Sequence, residues 1–361
     1  MFYLVSHVVY QNGVPIFGPI HVVSEYLRQE GKSSIQITAP LTDEGEYSYI
    51  AGDFTLKIAA KERSEALKYI ADVIFFTKMT FKKMPVKADT VIAADPLSAL
   101  LFSFLKPFLK FRLIYYTVDF ADTRFSSKVL DLIYRSLDLF SLRVADQNWC
   151  VSDRIVQIRR RQGFAKKAVF VPNTNLFTEP PKAQRKQQQR NLIYVGRMEE
   201  NMYVPQILAA CKAARTCTLT LIGGGSLDKT IVCYIKQHKL QRKIFYLGPQ
   251  PNAIVQRQLR SQGIGLALYG TSYGWNTYGD SMKIREYQQY GLPVITSNVP
   301  SNADEIKVGK GGIVLENKIS PATILDALVT IQQNYEMYTE NTRKIALKYV
   351  KSEVLHRLLL S

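Results

Sequence analysis

The segment richest in chemistry runs Tyr269-Gly270-Thr271-Ser272-Tyr273-Gly274-Trp275-Asn276-Thr277-Tyr278-Gly279 and continues into Asp280-Ser281-Met282-Lys283-Ile284-Arg285-Glu286-Tyr287. Its first part is aromatic and glycine-rich and reads as a loop; its second opens a helix. Ser281 is a natural N-cap. Behind it the amides of Met282 and Lys283 fall in the first turn, where free N–H groups and the helix dipole favour a diphosphate, and the Lys283 ammonium adds to that field. Glu286 follows Lys283 by three positions, on the same face, where a carboxylate can accept both hydroxyls of a ribose. The same spacing suits an ion pair on a surface helix, and both readings stand at this point. Two further loops have matching chemistry. Val195-Gly196-Arg197 offers a guanidinium for bidentate phosphate contact. Ile222-Gly223-Gly224-Gly225-Ser226 lets backbone approach a ligand without side-chain obstruction, although a plain tight turn has the same composition.

These loops need a scaffold that brings them together. In the first half, strand-like runs at 2–9, 35–39, 90–93, 113–117, 148–151 and 169–171 alternate with amphipathic helical patterns such as 21–31 and 129–142. The second half repeats the alternation with strands at 191–195, 218–222, 244–247, 264–268, 293–296 and 312–315. Its helices are expected at 204–214, 227–238, 253–262, 282–290 and 321–334, and a last amphipathic helix spans 341–360. Strand-helix-strand repetition implies parallel sheets with helices on both faces, whose ligands lie at the carboxyl ends of the strands. All three phosphate-type loops follow such strands. Residues 178–190, TEPPKAQRKQQQR, lack apolar periodicity and read as a linker. The domains are therefore expected at 1–177 and 191–340, followed by a C-terminal helical segment at 341–361 that returns to the first domain.

Composition sets the limits. The 361 residues are 47% hydrophobic and 21% charged, which excludes a disordered chain and gives each half enough apolar residues for its own core. Lys and Arg number 47 against 30 Asp and Glu, a formal charge of +17 that calls for anionic company. Cys150, Cys211, Cys217 and Cys233 and the four histidines show no CxxC or HxxxH spacing, so neither a zinc site nor a disulfide framework is expected. The start, MFYLVSHVVYQNG, has no basic region or cleavage site and reads as a strand. The most apolar window, 91–105, is broken by Asp95 and Pro96 and is too short to cross a bilayer.

Five pieces in order, IYVGRM, LTLIGGGSL, IFYLGPQ, KIREYQQYGLPVITSN and GGIVLE, span about 120 residues. Together they resemble the nucleotide-sugar-binding domain of GT-B-fold glycosyltransferases, close to glycosyltransferase family 4. The resemblance implies two Rossmann-like α/β domains facing a cleft, with Glu286 as the ribose ligand and Gly291-Leu292-Pro293-Val294-Ile295 as the strand after it. Two positions depart from the retaining family-4 pattern: Tyr278 stands where a first glutamate precedes Glu286 by eight, and Met202 where a lysine follows Arg197 by five. The Ser281-Met282-Lys283 triplet with Tyr269 upstream is similar to the inverting, membrane-associated xanthan-pathway glucuronosyltransferases. By that likeness Met282 and Lys283 hold the diphosphate and Tyr269 lies near it. The first half resembles the acceptor domain more faintly, through the loop Asn12-Gly13 to Gly18, Ala94-Asp95-Pro96 and Tyr115-Tyr116-Thr117-Val118-Asp119. The resemblance puts Asp119 at the cleft as general base of an inverting reaction, with Asp122 and Asp95 behind it and Arg124 on the donor phosphate or an acidic acceptor. A helix cap is the other role for Asp119.

The expectation that follows is a glycosyltransferase, hexosyl or glucuronosyl, moving a sugar from a nucleotide-sugar, UDP by resemblance, to a lipid-linked or polysaccharide acceptor. It needs no cofactor or metal, since the helix dipole, Arg197 and Lys283 neutralise the leaving diphosphate. Three basic segments suit an anionic membrane surface and hence a cytoplasmic protein held peripherally on the inner face: 97–112, which alternatively is a core helix; Lys78, Lys82, Lys83 and Lys87 around Phe75, Phe76 and Phe81; and Arg159-Arg160-Arg161 with Lys166-Lys167. Other readings of the same sequence are a non-enzymatic nucleic-acid-binding protein, which lacks any recognised signature, and an epimerase or phosphorylase on the same scaffold.

Overall fold

Parallel strands form the centre of both halves. The computed structural model describes all residues except 12–13, 16–17, 42–44, 62–64, 84–88, 126, 174–185, 273, 317 and 360–361. The chain divides into two compact units: Met1–Pro172 together with Leu355–Ser361, and Asn173–Val354.

The first unit runs β1 (Phe2–Val8), a two-residue ribbon of β2 (Tyr10–Gln11) and β3 (Val14–Pro15), α1 (Pro19–Gln29), β4 (Ser34–Pro40), β5 (Glu46–Ala51), β6 (Phe54–Ala59) and α2 (Glu65–Lys83). It continues with β7 (Thr90–Ala93), α3 (Pro96–Leu109), β8 (Arg112–Thr117), α4 (Lys128–Val144), β9 (Gln147–Cys150), α5 (Asp153–Arg159) and β10 (Ala168–Phe170). The sheet order is β10-β9-β8-β7-β1-β4-β5-β6, parallel except for the last two strands, which run antiparallel to their neighbours. Tyr3, Val5, Ile37, Val91, Leu113 and Phe102 are fully or almost fully buried in its core. The β5–β6 hairpin is not expected from the sequence. β6 reads FTLKIA, and its pattern of exposed residues gives no buried face for periodicity to reveal.

The second unit runs β11 (Asn191–Val195), α6 (Val204–Ala213), β12 (Thr218–Ile222), α7 (Asp228–Gln237), β13 (Ile244–Tyr246), α8 (Asn252–Leu259), β14 (Ile264–Ala267) and α9 (Gly274–Tyr278). Then come α10 (Met282–Gln289), β15 (Val294–Ser297), α11 (Ala303–Gly309), β16 (Gly312–Leu315), α12 (Pro321–Gln333), α13 (Tyr335–Leu347) and α14 (Lys351–Leu359). All six strands are parallel in the order β13-β12-β11-β14-β15-β16, the doubly wound arrangement with its switch point between β11 and β14. Its central strands β14 and β15 are fully buried, and all six are short runs bounded by loops, so their sequence limits lie within about one residue of the observed ones.

Three expectations need correction. The single helix over 341–360 is two, α13 and α14, and only residues from Leu355 onward belong to the first unit. A proline within 97–112 is expected to stop a straight helix at that point, yet α3 runs through Pro107 to Leu109. Proline there removes one hydrogen bond in the last turn, and the Lys110 amide, donating to the Lys106 carbonyl at 3.0 Å, closes the helix in a left-handed conformation. Of the linker 178–190, residues 178–185 lie outside the described residues, and Lys186–Arg190 form a 3-10 turn.

Candidate functional site

Three loops at the carboxyl ends of β11, β12 and β14 are tied together by backbone. The Gly196 amide donates to the Ile222 carbonyl at 2.8 Å, Met198 to Gly224 at 3.1 Å, Leu227 to Met198 at 3.0 Å, and Gly270 to Asn201 at 2.6 Å. Gly223 has φ +127°, and a Cβ there would sit 2.0 Å from the Gly196 oxygen. Gly196 has φ +136°, and a Cβ on it would strike the Lys283 side chain at 2.5 Å. The two glycines therefore let one loop lie on the other and leave room for the lysine.

Lys283 enters this space from the first turn of α10. Its Nζ lies 4.5 Å from the centre of the Tyr194 ring and 5.0 Å from that of Tyr269, and donates to the Tyr194 hydroxyl at 3.2 Å. Among the described residues it makes no ion pair, and in particular none with Glu286, which removes the surface-pair reading of the i,i+3 spacing. Burial lowers its pKa to about 7, with Glu199 opposing the shift. Burial also pushes the Tyr269 phenol up to about 12 and that of Tyr194 well above its ordinary value, so both remain neutral.

Ser281 caps α10 as its sequence requires, accepting from the Ile284 amide at 3.3 Å. Its hydroxyl also meets that of Tyr269 at 2.6 Å, which locks the loop after β14 to the helix start. The amides of Met282 and Lys283 belong to the first turn, which has no intrahelical acceptor for them. One turn on, the Glu286 carboxyl has no hydrogen-bond partner among the described residues, and burial raises its pKa to about 7. The Tyr287 hydroxyl accepts from the Val195 amide at 2.9 Å and donates to the Leu266 carbonyl at 3.2 Å, bridging β11 and β14 where they separate. Arg197 stands apart from this group. Its side chain is 71% exposed and pairs with Glu199 at 2.6 Å. In the glycine turn the Gly225 amide donates to Asp228 at 2.7 Å, so that amide is already satisfied.

Sequence reasoning missed what holds this helix in place. Arg285 is buried, pairs with Asp280 at 2.8 Å and Glu305 at 2.6 Å, and lies 4.2 Å from the Tyr349 ring centre. Asp280 also accepts from the Asn173 amide at 2.8 Å, while the Asn173 side chain donates to the Asp280 carbonyl at 2.6 Å. Asn302 holds Ser281 through both its backbone groups, at 3.1 and 3.3 Å. Charged residue types alone do not signal this network, because burial of an arginine depends on its tertiary neighbours.

In the first unit the carboxylates expected on the acceptor side have unlike surroundings. Asp119, two residues beyond β8 and with a 40% exposed side chain, pairs with Arg124 at 2.9 Å; Arg124 lies over the Tyr134 ring at 5.1 Å. Asp119 is not the cap of α4, a role taken by Ser127. Asp122 is exposed. Asp95 caps α3 through the Ser98 amide at 2.8 Å and pairs with His7 at 3.0 Å, so its lone pairs are engaged structurally. His7 is held on its other side by the buried Asp72 at 3.1 Å. Although burial opposes its charge, these two carboxylates raise its pKa to about 10. Gly18 is the N-cap of α1, its amide donating to His21 Nδ1 at 3.1 Å; Gly13 lies outside the described residues.

The basic segments are only partly surface. Arg159 is buried on Asp138 at 2.6 Å, Lys167 caps the carboxyl end of α4, and Phe75 and Phe76 belong to the core. α3 buries Ala99 and Phe102 but presents Phe104 and Phe108 outward, so it is a core helix with an exposed apolar side. Among the described residues no helix is long and apolar enough to cross a membrane.

Residues 177–346 match the family model described as Glycosyl transferases group 1. The fold is similar to that of three solved proteins. The pneumococcal O-GlcNAc transferase GtfA, solved with UDP and GlcNAc, is 16% identical with a TM-score of 0.60, over 89% of this chain and 63% of that one. WaaG, a glycosyltransferase involved in lipopolysaccharide biosynthesis, is 14% identical with a TM-score of 0.65, over 99% and 100%. Anabaena HepE, solved with UDP-glucose, is 12% identical with a TM-score of 0.68, over 100% of both chains. This chain thus spans less than two thirds of the pneumococcal enzyme. No curated protein matches the sequence. The fold is GT-B, with two Rossmann-like domains. The match to the Glycosyl transferases group 1 model falls within its second unit.

Proposed function

We propose that this protein transfers a sugar from a UDP-sugar to a lipid-linked or polysaccharide acceptor at an anionic membrane surface. The observation that carries the donor half is Lys283: a half-buried amine at a helix N-terminus, without a carboxylate partner among the described residues, beside an unpaired Glu286 carboxyl. A diphosphate on Lys283 and the Met282 and Lys283 amides, with ribose hydroxyls on Glu286, supplies every group that this site lacks. Arg197 reaches the same phosphates if it releases Glu199. UDP and UDP-glucose bound to the pneumococcal and Anabaena proteins support uracil as the base.

The departing diphosphate is neutralised by Lys283 and the helix dipole, so turnover proceeds without a metal and survives chelation. Asp119 takes the proton of the attacking acceptor hydroxyl in an inverting reaction, oriented by Arg124. The acceptor half rests on surface chemistry. Phe108 is 82% exposed on α3 near Lys106 and Lys110; Val129, Leu132 and Ile133 are exposed on α4 with Lys128 and Arg135; and Ile70, Ile74 and Phe81 are exposed on α2 with Lys68 and Lys78. Apolar side chains flanked by cations suit an anionic bilayer, each cation adding about 1 kcal/mol.

The test is a thermal-shift panel with UDP, GDP, ADP and CMP, repeated on Lys283→Ala. A shift with UDP, abolished in the variant, is expected; no shift with any nucleotide overturns the donor reading. Co-sedimentation with phosphatidylglycerol vesicles, lost in Phe108→Asp and absent with phosphatidylcholine, tests the membrane reading.

A further inference from the structure

A cavity of about 380 Å³ opens on one pleated face of the second unit's sheet, between β12, the edge strand β13 and α8. Alternation puts Thr218 and Thr220 of β12 on that face, and the register sets Asn191 beside Thr218 and Phe245 beside Thr220. Gln258 of α8 and Ser261 behind it form the opposite wall. The loops that hold Lys283 and its neighbours begin beyond Ile222, at the other end of β12, so this cavity is separate from them.

Its lining is unlike the rest of the protein. In a chain of formal charge +17, no Lys, Arg, Asp or Glu lines it. A phosphate or nucleotide finds no counter-charge there, and an apolar ligand would strand several polar groups. Phe245 is 42% exposed, with its side chain at the cavity rather than in the core. Thr220 is only 7% exposed, yet its hydroxyl makes no hydrogen bond with any described residue, and the Gln258 amide is likewise unpartnered. Thr218 and Asn191 are mutually bonded at 3.2 Å, and the Asn191 amide donates to the Ser261 carbonyl at 3.2 Å, which fixes the wall.

An aromatic face beside a free hydroxyl and a free amide, without charge, complements a pyranose, which has an apolar C–H face and an uncharged hydroxyl edge. We propose that this cavity binds a neutral sugar unit of a glycan, at a site distinct from the nucleotide loops. A second foothold of this kind raises the effective concentration of a polymeric glycan at the protein without taking part in bond formation. The binding itself does not depend on the donor reading.

The experiment is saturation-transfer NMR on the full chain, with UDP present throughout, using the methyl glycosides of glucose, galactose, mannose and N-acetylglucosamine as probes. At least one probe gives saturation transfer, Phe245→Ala weakens it by about tenfold or more, and Phe245→Tyr retains it. Thr220→Val, which removes one hydroxyl at nearly constant shape, weakens it severalfold and stands as the second variant should Phe245→Ala fold poorly. Absence of binding by all four glycosides overturns the proposal, as does binding unchanged in both Phe245→Ala and Thr220→Val. UDP binding is read separately by thermal shift, so failure there counts against the donor reading alone.

Discussion

The affinity for UDP should depend on pH in a way set by two side chains of α10. Free Lys283 has its pKa lowered to about 7 because burial disfavours its charge. A bound diphosphate restores that charge, so above pH 7 binding must be accompanied by proton uptake. The affinity then falls roughly tenfold per pH unit above about 7. The fall is bounded by the worth of a hydrogen bond to a charged group, about 1.5–3 kcal/mol, and levels off after roughly 10- to 150-fold. Glu286 sets the other limb. Its pKa is raised to about 7, and only the carboxylate accepts from two ribose hydroxyls, so affinity declines again below neutrality. The profile is a maximum near pH 7. Isothermal titration calorimetry from pH 6 to 9, in pairs of buffers differing in ionisation enthalpy, reads both the affinity and the protons exchanged. At pH 8.5 roughly 0.3–0.8 of a proton is taken up. Lys283→Ala lowers the affinity and abolishes the alkaline limb; Glu286→Gln abolishes the acid limb due to this residue. An affinity flat from pH 7 to 9, with no proton uptake, refutes the reasoning, because a half-buried lysine that never meets the diphosphate has no reason to regain its proton.

Three further outcomes follow from contacts described above. Gly223→Ala places a Cβ at 2.0 Å from the Gly196 oxygen at a φ of +127°, and should abolish UDP-dependent thermal stabilisation while far-UV circular dichroism remains native. Arg285→Met strips the buried Asp280 of its partner and should destabilise the protein by about 3–5 kcal/mol in urea unfolding; Asp280→Asn paired with it recovers part of the loss. Asp119→Asn should reduce turnover by 100-fold or more, within the range of about 10²–10⁴ for losing a general base, and leave the UDP affinity unchanged by calorimetry.

The parts of the molecule legible in the sequence share one physical property: their signal is local. Thr218–Ile222 and Gly312–Leu315 are short apolar runs bounded by glycines or turns, and the sequence limits coincide with the observed ones. Ser281 declares its cap by type and position. Lys283 and Glu286 were legible as donor-site candidates, but not their isolation from each other, which depends on Tyr194 arriving from another strand. Arg197 was expected beside the phosphates and instead lies outward on Glu199, since nothing in VGR fixes a long side chain. Arg159 looked like part of a basic patch because it heads the run Arg159-Arg160-Arg161; only Asp138, 21 residues away in sequence, reveals it as a buried partner. α11 went unread because seven residues with two acidic side chains carry too little apolar periodicity.

The path of the chain also constrains how the protein is made. Leu355, almost fully buried, and His356, within 3.4 Å of the Tyr26 hydroxyl, belong to the first unit but are translated after the whole of the second. During synthesis the first unit therefore waits, with a gap in its packing, until some 180 further residues have left the ribosome (173–354). A fragment cut after Pro172 would carry that gap permanently, and its instability would be mistaken for an intrinsic weakness of the unit. A faithful isolated version needs residues 355 onward rejoined to it by a designed linker, which turns the expression of single domains into a problem of chain order rather than of boundaries.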